Sequence, residues 1–464
     1  MKHKDRCSDT GIRVRLVALA LSAAVASTAG HAQPGNESAG PVDRSLGPDV
    51  QAARIETGHT RIDPAMPAPG PSEPLTLRQA LDLALAGSPE LAAQAHGVLA
   101  AEGEARQAAV RPNPELEIEA EEFGGPGDRE GYAAAETTLR LSQTIELGGK
   151  RTLRGRVARA AARLARWDYE AARLDVLTRT KQSFVDLLTA QQQLALADAS
   201  LALAEDTRKA AAERVRAGKV PPLEETKAAV EVANARIGQA RARRDVQTAR
   251  KRLAASWGET TPTFKEAAGE MDIVAAVPSL DALARGLNGV PEVARWGEEV
   301  ILAEAALALA RGARAPDIQV AVGISRFEED GSHAGSAGLA VPLPLFDRNR
   351  GGIAAAQNQV TRAEYAQRAA RLHAMADLAE AHNRLETARA EALAIRSDLL
   401  PGAEEAFAAA RKGYDEGKLG CLDVLDAQRT IGEARARLLE TLGTYHRTAA
   451  DVERLTGVPL TTIP

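Results

Sequence analysis

The amino-acid sequence predicts a mixed, mainly α fold in which one strand-strand-long-helix-helix unit occurs twice. Motifs recur at a spacing of about two hundred residues, short stretches of alternating apolar and polar residues stand at matching places in both halves, and alanine-rich stretches follow them. Only 3% of the residues are aromatic. Because alanine is the best helix former and small, this composition favours long helices that pack closely along their length.

The segment before the repeat is predicted to be an export signal followed by a leader. Basic residues precede an apolar run at 16–26, and Gly30-His31-Ala32 supplies small residues for cleavage, so residues 1–32 are predicted to be a signal peptide. Prolines scattered among Gly, Ser and Asp predict a disordered leader over 33–74. Cleavage leaves Cys421 without a second cysteine in the mature chain, so no internal disulfide is expected.

The repeat sets the expected domain boundaries. Ser88-Pro89-Glu90-Leu91 returns as Val290-Pro291-Glu292-Val293, and Ala217-Gly218-Lys219-Val220 returns as Glu416-Gly417-Lys418-Leu419. We therefore predict a first repeat over 75–258, a linker over 259–278, a second repeat over 279–457 and a C-terminal tail over 458–464.

The alternating stretches are predicted strands with one apolar and one polar face. They cover about 114–123 and 135–147 in the first repeat, and about 316–327 and 336–346 in the second. The polar face of the first strand is acidic, with Glu115, Glu117, Glu119 and Glu121. Each stretch has the length that a tilted strand needs to cross a bilayer. Pro342 and Pro344 imply an early end to pairing in the last one.

Four strands cannot close a barrel by themselves. Two soluble hairpins that pack their apolar faces on a core are therefore an open alternative from the strands alone. If chains pool their strands, three chains give twelve, the simplest even count that makes a barrel of adequate girth.

The long helices are predicted over 152–216 and 223–256, and again over 351–416 and 422–455. A helix spanning 152–216 rises about 1.5 Å per residue and so forms a rod of about 100 Å. Pro401 is expected to kink or interrupt its counterpart in the second repeat. The turns between the helices fall at Pro221-Pro222 and in the region 417–420.

Four segments carry a resemblance to a known family: the opening 75–81, the strand-to-helix joint 143–151, its counterpart 342–351, and 414–426 with Leu422-Asp423-Val424-Leu425-Asp426-Ala427. In these segments, and over about 75–457, the chain resembles the outer-membrane factor (TolC-like) family. Within that family the two joints resemble the heavy-metal cation efflux (CzcC-like) branch.

The resemblance implies a homotrimer in the cell outer membrane that extends into the periplasm, with a 12-stranded β-barrel above a long α-helical barrel. It implies a passive duct of a tripartite efflux system, working with a periplasmic adaptor (membrane fusion) protein and a proton-driven inner-membrane RND pump. The implied cargo is heavy-metal cations of the Co/Zn/Cd or Cu/Ag type. Channels for drug efflux or type I protein secretion share the architecture and stay open as alternatives. A secreted coiled-coil scaffold is the alternative of another class.

No residue pattern predicts catalysis, a bound cofactor or a resident metal, and the mixed charge does not favour a nucleic-acid partner. The four acids of the first strand are expected to face the lumen and favour cations, or only to keep it wet. The resemblance places a pore constriction at Asp423, Asp426, Glu224 and Tyr414. The two aspartates also suit a helix N-terminus without any role in the pore.

The two helical turns are expected to contact the adaptor. Their residues are Gly218, Lys219, Val220, Gly417, Lys418 and Leu419. Leu419 stands where the family often has a basic partner for the tyrosine at Tyr414. Lys418 or Arg411 is therefore expected to take that part.

Overall fold

The computed structural model describes residues 74–460. The predicted signal peptide and leader lie outside the described residues, apart from Pro74. The first half of the chain contains β1 (Leu75–Thr76), α1 (Leu77–Gly87), α2 (Pro89–Ala108), β2 (Glu115–Glu121), β3 (Glu136–Ile145), α3 (Lys150–Arg216) and α4 (Leu223–Ala255). The second half contains β4 (Ala267–Ala268), α5 (Leu280–Ala284), α6 (Pro291–Gly312), β5 (Ile318–Phe327), β6 (His333–Ala340), α7 (Arg350–Ala394), α8 (Leu400–Asp415) and α9 (Cys421–Thr456).

Local sequence signals start the short helices of the first half. The side chain of Thr76 accepts a hydrogen bond from the Gln79 backbone, and the Gln79 side chain accepts one from the Thr76 backbone, which makes a capping box for α1. Ser88 accepts from the backbone N–H of Leu91 and Pro89 follows it in the first turn of α2. These signals explain why one helix ends and the next begins within two residues.

The main apolar core lies midway along α3, where the linker crosses the long helices. Phe184, Leu187, Trp257, Phe264 and Met271 are fully buried there. The linker strand β4 pairs in parallel with β1. The Gln191 side chain from α3 bonds to both the N–H and the carbonyl of Ala267, at 2.9 and 3.0 Å. The beginning of the chain and the linker are thus fixed to the same helix.

Pro401 alters the long helix of the second repeat without ending it. The expected single helix over 351–416 consists of α7, a π-helical segment at Ile395–Leu399, and α8. Proline has no N–H to donate and its ring crowds the carbonyl four residues earlier, here that of Ser397. The wider π turn directly before Pro401 relieves that crowding while the chain stays helical.

The four longer strands form one antiparallel sheet in the order β2-β3-β5-β6. The last predicted strand, 336–346, is wrong at both ends, since β6 covers His333–Ala340. It ends before Pro342 and Pro344 because proline cannot donate a ladder hydrogen bond. Strands β2 and β6 form the two edges of the sheet, and they connect to α2 and α7 respectively. Among residues 74–460, no helix is both long and apolar enough to cross a membrane.

The joints between sheet and long helix share one backbone conformation. Helix α3 starts after Gly149 with φ at 68°, and α7 starts after Asn349 with φ at 51°, both left-handed. Gly149 and Asn349 therefore hold equivalent positions in the two repeats, each directly before a long helix. Gly148, also at φ 68°, approaches the end of α6 so closely that a Cβ there would lie 2.7 Å from the Gly312 carbonyl oxygen and 2.7 Å from the Ala315 Cβ.

Two neighbouring glycines allow this close approach to be tested. Gly148 and Gly149 have the same φ of 68°, but nothing lies within 4 Å of a Cβ built on Gly149. Both alanine substitutions carry the left-handed penalty of about 1–2 kcal/mol. Only Gly148→Ala adds overpacking of about 1–3 kcal/mol. We expect the midpoint of thermal unfolding in detergent to fall further for Gly148→Ala than for Gly149→Ala. Equal losses would contradict this packing.

Candidate functional site

The pairing register places residues of like polarity side by side across the sheet. Leu116 lies opposite Leu141, which in turn lies opposite Val322. A parallel row contains Ile118, Leu139 and Ile324. Because side chains alternate between faces, both rows lie on one face of the sheet.

This apolar face is uncovered in the single chain. Ile118 is 70% exposed, Leu339 69% and Leu116 64%. A side chain of this size gains about 1.5–3 kcal/mol on leaving water. A contiguous apolar surface of this kind marks contact with a lipid or with another protein.

The opposite face of the sheet carries polar residues and small residues. Glu115, Glu117, Glu119 and Glu121 all lie on it, as predicted from their spacing. Arg140 on β3 pairs with Glu117 at 3.2 Å. Farther across the sheet this face carries Gly323 and Ser336, and a Cβ on Gly323 would lie 2.8 Å from the Ser336 Oγ. The polar face is therefore acidic along one edge and made of small residues along the other.

Charged residues connect the two repeats directly below the sheet. Asp317, just before β5, accepts hydrogen bonds from the Lys150 Nζ at 2.8 Å and from the Leu147 backbone N–H at 3.1 Å. Arg154 forms a two-point ion pair with Glu146. Lys150 of the joint 143–151 therefore fixes the end of β3 against the beginning of β5, and Glu146 fixes the same joint to the first turns of α3.

The turn between α3 and α4 has the same structure as the turn between α8 and α9. We call each of these pairs of helices, with its turn, a helical hairpin. Gly218 and Gly417 are left-handed, with φ of 71° and 74°. The N–H of Lys219 bonds to the Arg214 carbonyl and that of Lys418 bonds to the Gly413 carbonyl. Both are Schellman caps, in which glycine is the residue that adopts the required conformation without strain. Val220 and Leu419 follow the two caps, and Leu419 packs over Gly413.

Tyr414 is the most buried of the predicted constriction residues, with 5% of its surface exposed. The Arg214 guanidinium lies over its ring at 4.2 Å and donates to its backbone carbonyl at 3.0 Å. Burial raises the pKa of the Tyr414 hydroxyl, against the opposing effect of Arg214. Among residues 74–460 the Tyr414 Oη has no hydrogen-bond partner.

The predicted acidic residues divide into two groups. Glu224 and Asp423 line one cavity of about 320 Å³ between the beginnings of α4 and α9. The Asp423 carboxylate also accepts the Gly420 N–H at 2.9 Å, which matches its expected role at a helix N-terminus. Asp426 is exposed and pairs with Arg429 at 2.7 Å. The structure thus places Glu224 and Asp423 along one cavity, whereas Asp426 pairs with a neighbour on its own helix.

Cys421 is buried beside this cavity. Burial raises the pKa of its thiol, with the nearby Glu224 carboxylate acting in the same direction. Within the described part of the chain, no three His, Cys, Asp or Glu side chains come together as a set that could hold a metal ion.

Comparison with known proteins identifies the family. The profile described as "Outer membrane efflux protein" matches residues 80–259 and 288–458. The chain belongs to this family.

Relatives of this outer membrane efflux protein cover most of its length. The chain is 37% identical over 412 residues to the cobalt-zinc-cadmium resistance protein CzcC of Cupriavidus metallidurans, covering 89% of this chain and 96% of the relative. It is 28% identical to the nickel-cobalt-cadmium resistance protein NccC of Alcaligenes xylosoxydans xylosoxydans, covering 68% and 67%.

Solved structures with the same fold have lower identity. CusC, described in terms of transmembrane channel formation, superposes with a TM-score of 0.72 at 17% identity, covering 85% of this chain and 97% of CusC. A membrane protein from Pseudomonas aeruginosa superposes with a TM-score of 0.71 at 23% identity, covering 82% and 93%. The predicted fold class is therefore confirmed, and the family places the protein in the outer membrane.

The structure differs from the sequence expectation at Tyr414. Neither Lys418 nor Arg411 takes the expected part, because Lys418 pairs with Glu416 at 2.6 Å and the cation at Tyr414 is Arg214. Arg214 lies in the first repeat, two hundred residues from its partner. The sequence carries no local signal for this pairing, which depends on how the two hairpins meet.

The contacts of Arg214 predict which substitution loosens this end of the helices. Arg214→Gln removes the contact with the ring and the charged donor, a loss on the order of 2 kcal/mol per chain. Tyr414→Phe keeps the ring and the carbonyl and loses only a hydroxyl without a partner. We expect higher single-channel conductance in planar bilayers for Arg214→Gln and wild-type conductance for Tyr414→Phe. The reverse order would show that the hydroxyl, not the cation, holds the hairpins together.

Proposed function

We propose that this outer membrane efflux protein is the exit duct of a tripartite pump that exports heavy-metal cations. The observation that carries the proposal is the 37% identity to the cobalt-zinc-cadmium resistance protein over 96% of that relative. A nickel-cobalt-cadmium resistance protein matches as well. Both relatives are thus named for resistance to divalent metal cations.

The working unit in this proposal is a homotrimer. The sheet contributes four strands per chain, and among the described residues its edge strands β2 and β6 each pair on one side only. Unpaired backbone groups cannot be left in contact with lipid, so the edges must pair with other chains. Three chains give twelve strands, and the exposed apolar face then points outward to lipid.

The polar face supports passage of cations. In a closed barrel Glu115, Glu117, Glu119 and Glu121 of each chain face the lumen, where acidic rings favour cations over anions. At the other end, Glu224 and Asp423 from each chain add carboxylates around the opening. The duct itself is passive, so energy comes from the inner-membrane RND pump, reached through a periplasmic adaptor that contacts the turns at Gly218 and Gly417.

Loss of the gene tests the cargo. A strain that lacks this protein should become sensitive to cobalt, zinc or cadmium, because their periplasmic exit is closed, and a plasmid copy should restore growth. Growth in dyes and detergents is the comparison. Sensitivity to dyes without sensitivity to any of these metals, copper or silver would remove the metal assignment. A defect in protein export alone would indicate a secretion channel.

The acids at the opening predict cation block. The double substitution Asp423→Asn and Asp426→Asn removes two charges per chain while an amide oxygen at position 423 still caps α9. We expect the cobalt concentration that halves conductance to rise about tenfold, which corresponds to about 1.4 kcal/mol of lost binding. Glu433→Gln, farther along the same helix, is the matched control. Equal block in all three channels would show that the two aspartates serve the helix only.

A further inference from the structure

We infer that the boundary between neighbouring chains runs along two stripes of exposed residues, one on α2 and one on α7, in a defined register. The occupant of each stripe is a second copy of this chain. The α2 stripe is Ala93, Gly97, Ala100 and Glu104, and the α7 stripe is Tyr365, Ala369, Leu372 and Ala376. This inference rests on the homotrimer of the proposed function and adds the surfaces that meet in it.

Chain connectivity says which helices face each other. The edge strand β2 follows α2, and the other edge strand β6 leads into α7. A neighbour that pairs its β6 with β2 therefore brings its α7 toward α2. Within one chain α2 packs on α3, α3 packs on α6, and α6 packs on α7. The helices thus form a layer with α2 at one side and α7 at the other.

The α2 stripe consists mainly of small residues and forms a groove. The α7 stripe carries larger side chains that fill such a groove. On α2, the residues at 93, 97 and 100 are small and exposed, and nothing lies within 4 Å of a Cβ built on Gly97. On α7, Leu372 is 72% exposed and Tyr365 is 64% exposed. These two residues are seven apart, which places them on one face of a helix. Each stripe lies on the side of its helix away from the buried residues, such as Leu91 on α2 and Ala374 on α7.

Ion pairs within the chain fix the level of one stripe relative to the other. Arg166 of α3 pairs with Glu102 of α2. On the α6 side, Arg163 pairs with Glu298 and Asp168 pairs with Arg295, so Arg166 lies level with the residues between Arg295 and Glu298. Gln367 of α7 lies 3.7 Å from a Cβ built on Gly297, next to Glu298. Gln367 is therefore level with Glu102 and its neighbours, and α2 and α7 run in opposite directions.

This level sets the expected register between chains. Leu372 lies five residues farther from the sheet than Gln367, at the level of Gly97. Tyr365 lies two residues closer to the sheet than Gln367, at the level of Glu104. Exchanging the partners displaces each pair by seven residues, which is about 10 Å along a helix. That displacement is larger than a disulfide can bridge, since its Cα atoms lie about 4.4–6.8 Å apart.

Charge on the lower helices agrees with the same boundary. Between 236 and 252, α4 carries seven basic residues and one acidic residue, whereas residues 398–405 at the joint into α8 contain three acidic residues and no basic one. Helix α4 packs on α3 below α2, and α8 continues from α7. Within the chain Glu404 already pairs with Arg435, and Arg236 and Arg243 pair with Glu205 and Asp198. A neighbour that docks α7 on α2 therefore brings the remaining acids, Asp398 and Glu405, toward the remaining basic residues of α4.

Four cysteine pairs in a background with Cys7→Ser and Cys421→Ser test the inference, since the sequence then has no other cysteine. Leu372→Cys with Gly97→Cys, and Tyr365→Cys with Glu104→Cys, should give dimers and trimers on non-reducing gels after mild oxidation. Leu372→Cys with Glu104→Cys, and Tyr365→Cys with Gly97→Cys, contain the same four substitutions with exchanged partners. We expect at least tenfold less crosslinked product from them.

The mass of each variant in detergent separates the possible failures. Trimers in which neither expected pair crosslinks, or in which the exchanged pairs crosslink equally, would overturn the proposed boundary and leave the trimeric channel intact. A wild-type chain that is a monomer in the same detergent would overturn both. Crosslinking of the expected pairs alone supports the boundary and its register.

Discussion

The structure depends on one constraint, an antiparallel sheet with an apolar face and two unpaired edges that no part of the described chain covers. A hairpin sheet in water buries its apolar face on a core, but here the rows at Leu116 and Ile118 lie open. In the outer membrane lipid covers these rows, and in the proposed trimer other copies of the chain complete the edges. Membrane insertion and the proposed assembly therefore act on the same sheet, the first on its apolar face and the second on its edges.

The rest of the chain holds this sheet at one end of the long helices. Gly148 lets the chain turn tightly from β3 into α3, and Asp317 fixes the turn to the second repeat with its bonds to Lys150 and Leu147. Midway down, the linker joins β1, α3 and the second repeat in the main core. At the far end, Arg214 connects the hairpin of the first repeat to that of the second. Each connection crosses between the repeats, so the duplicated halves behave as one protomer.

The features that could be predicted from the sequence are those that follow from the spacing of apolar residues and from composition. Alternation placed Glu115 through Glu121 on one face, and the absence of proline predicted the length of α3. Features that depend on contacts between distant segments could not be predicted. Arg214 looked like any exposed basic residue of a helix, and only the meeting of the hairpins gives it Tyr414 as a partner. Pro401 predicted a disturbance, but the π turn that absorbs it depends on the tertiary packing that keeps α7 and α8 together.

The most direct measurement is the mass of the purified protein, by light scattering, with detergent present and after its removal. The proposed trimer predicts a three-chain particle in detergent, and the exposed apolar face predicts loss of solubility when detergent is withdrawn. A stable monomer in plain buffer would show that the sheet buries its apolar face within one chain, and would contradict this account.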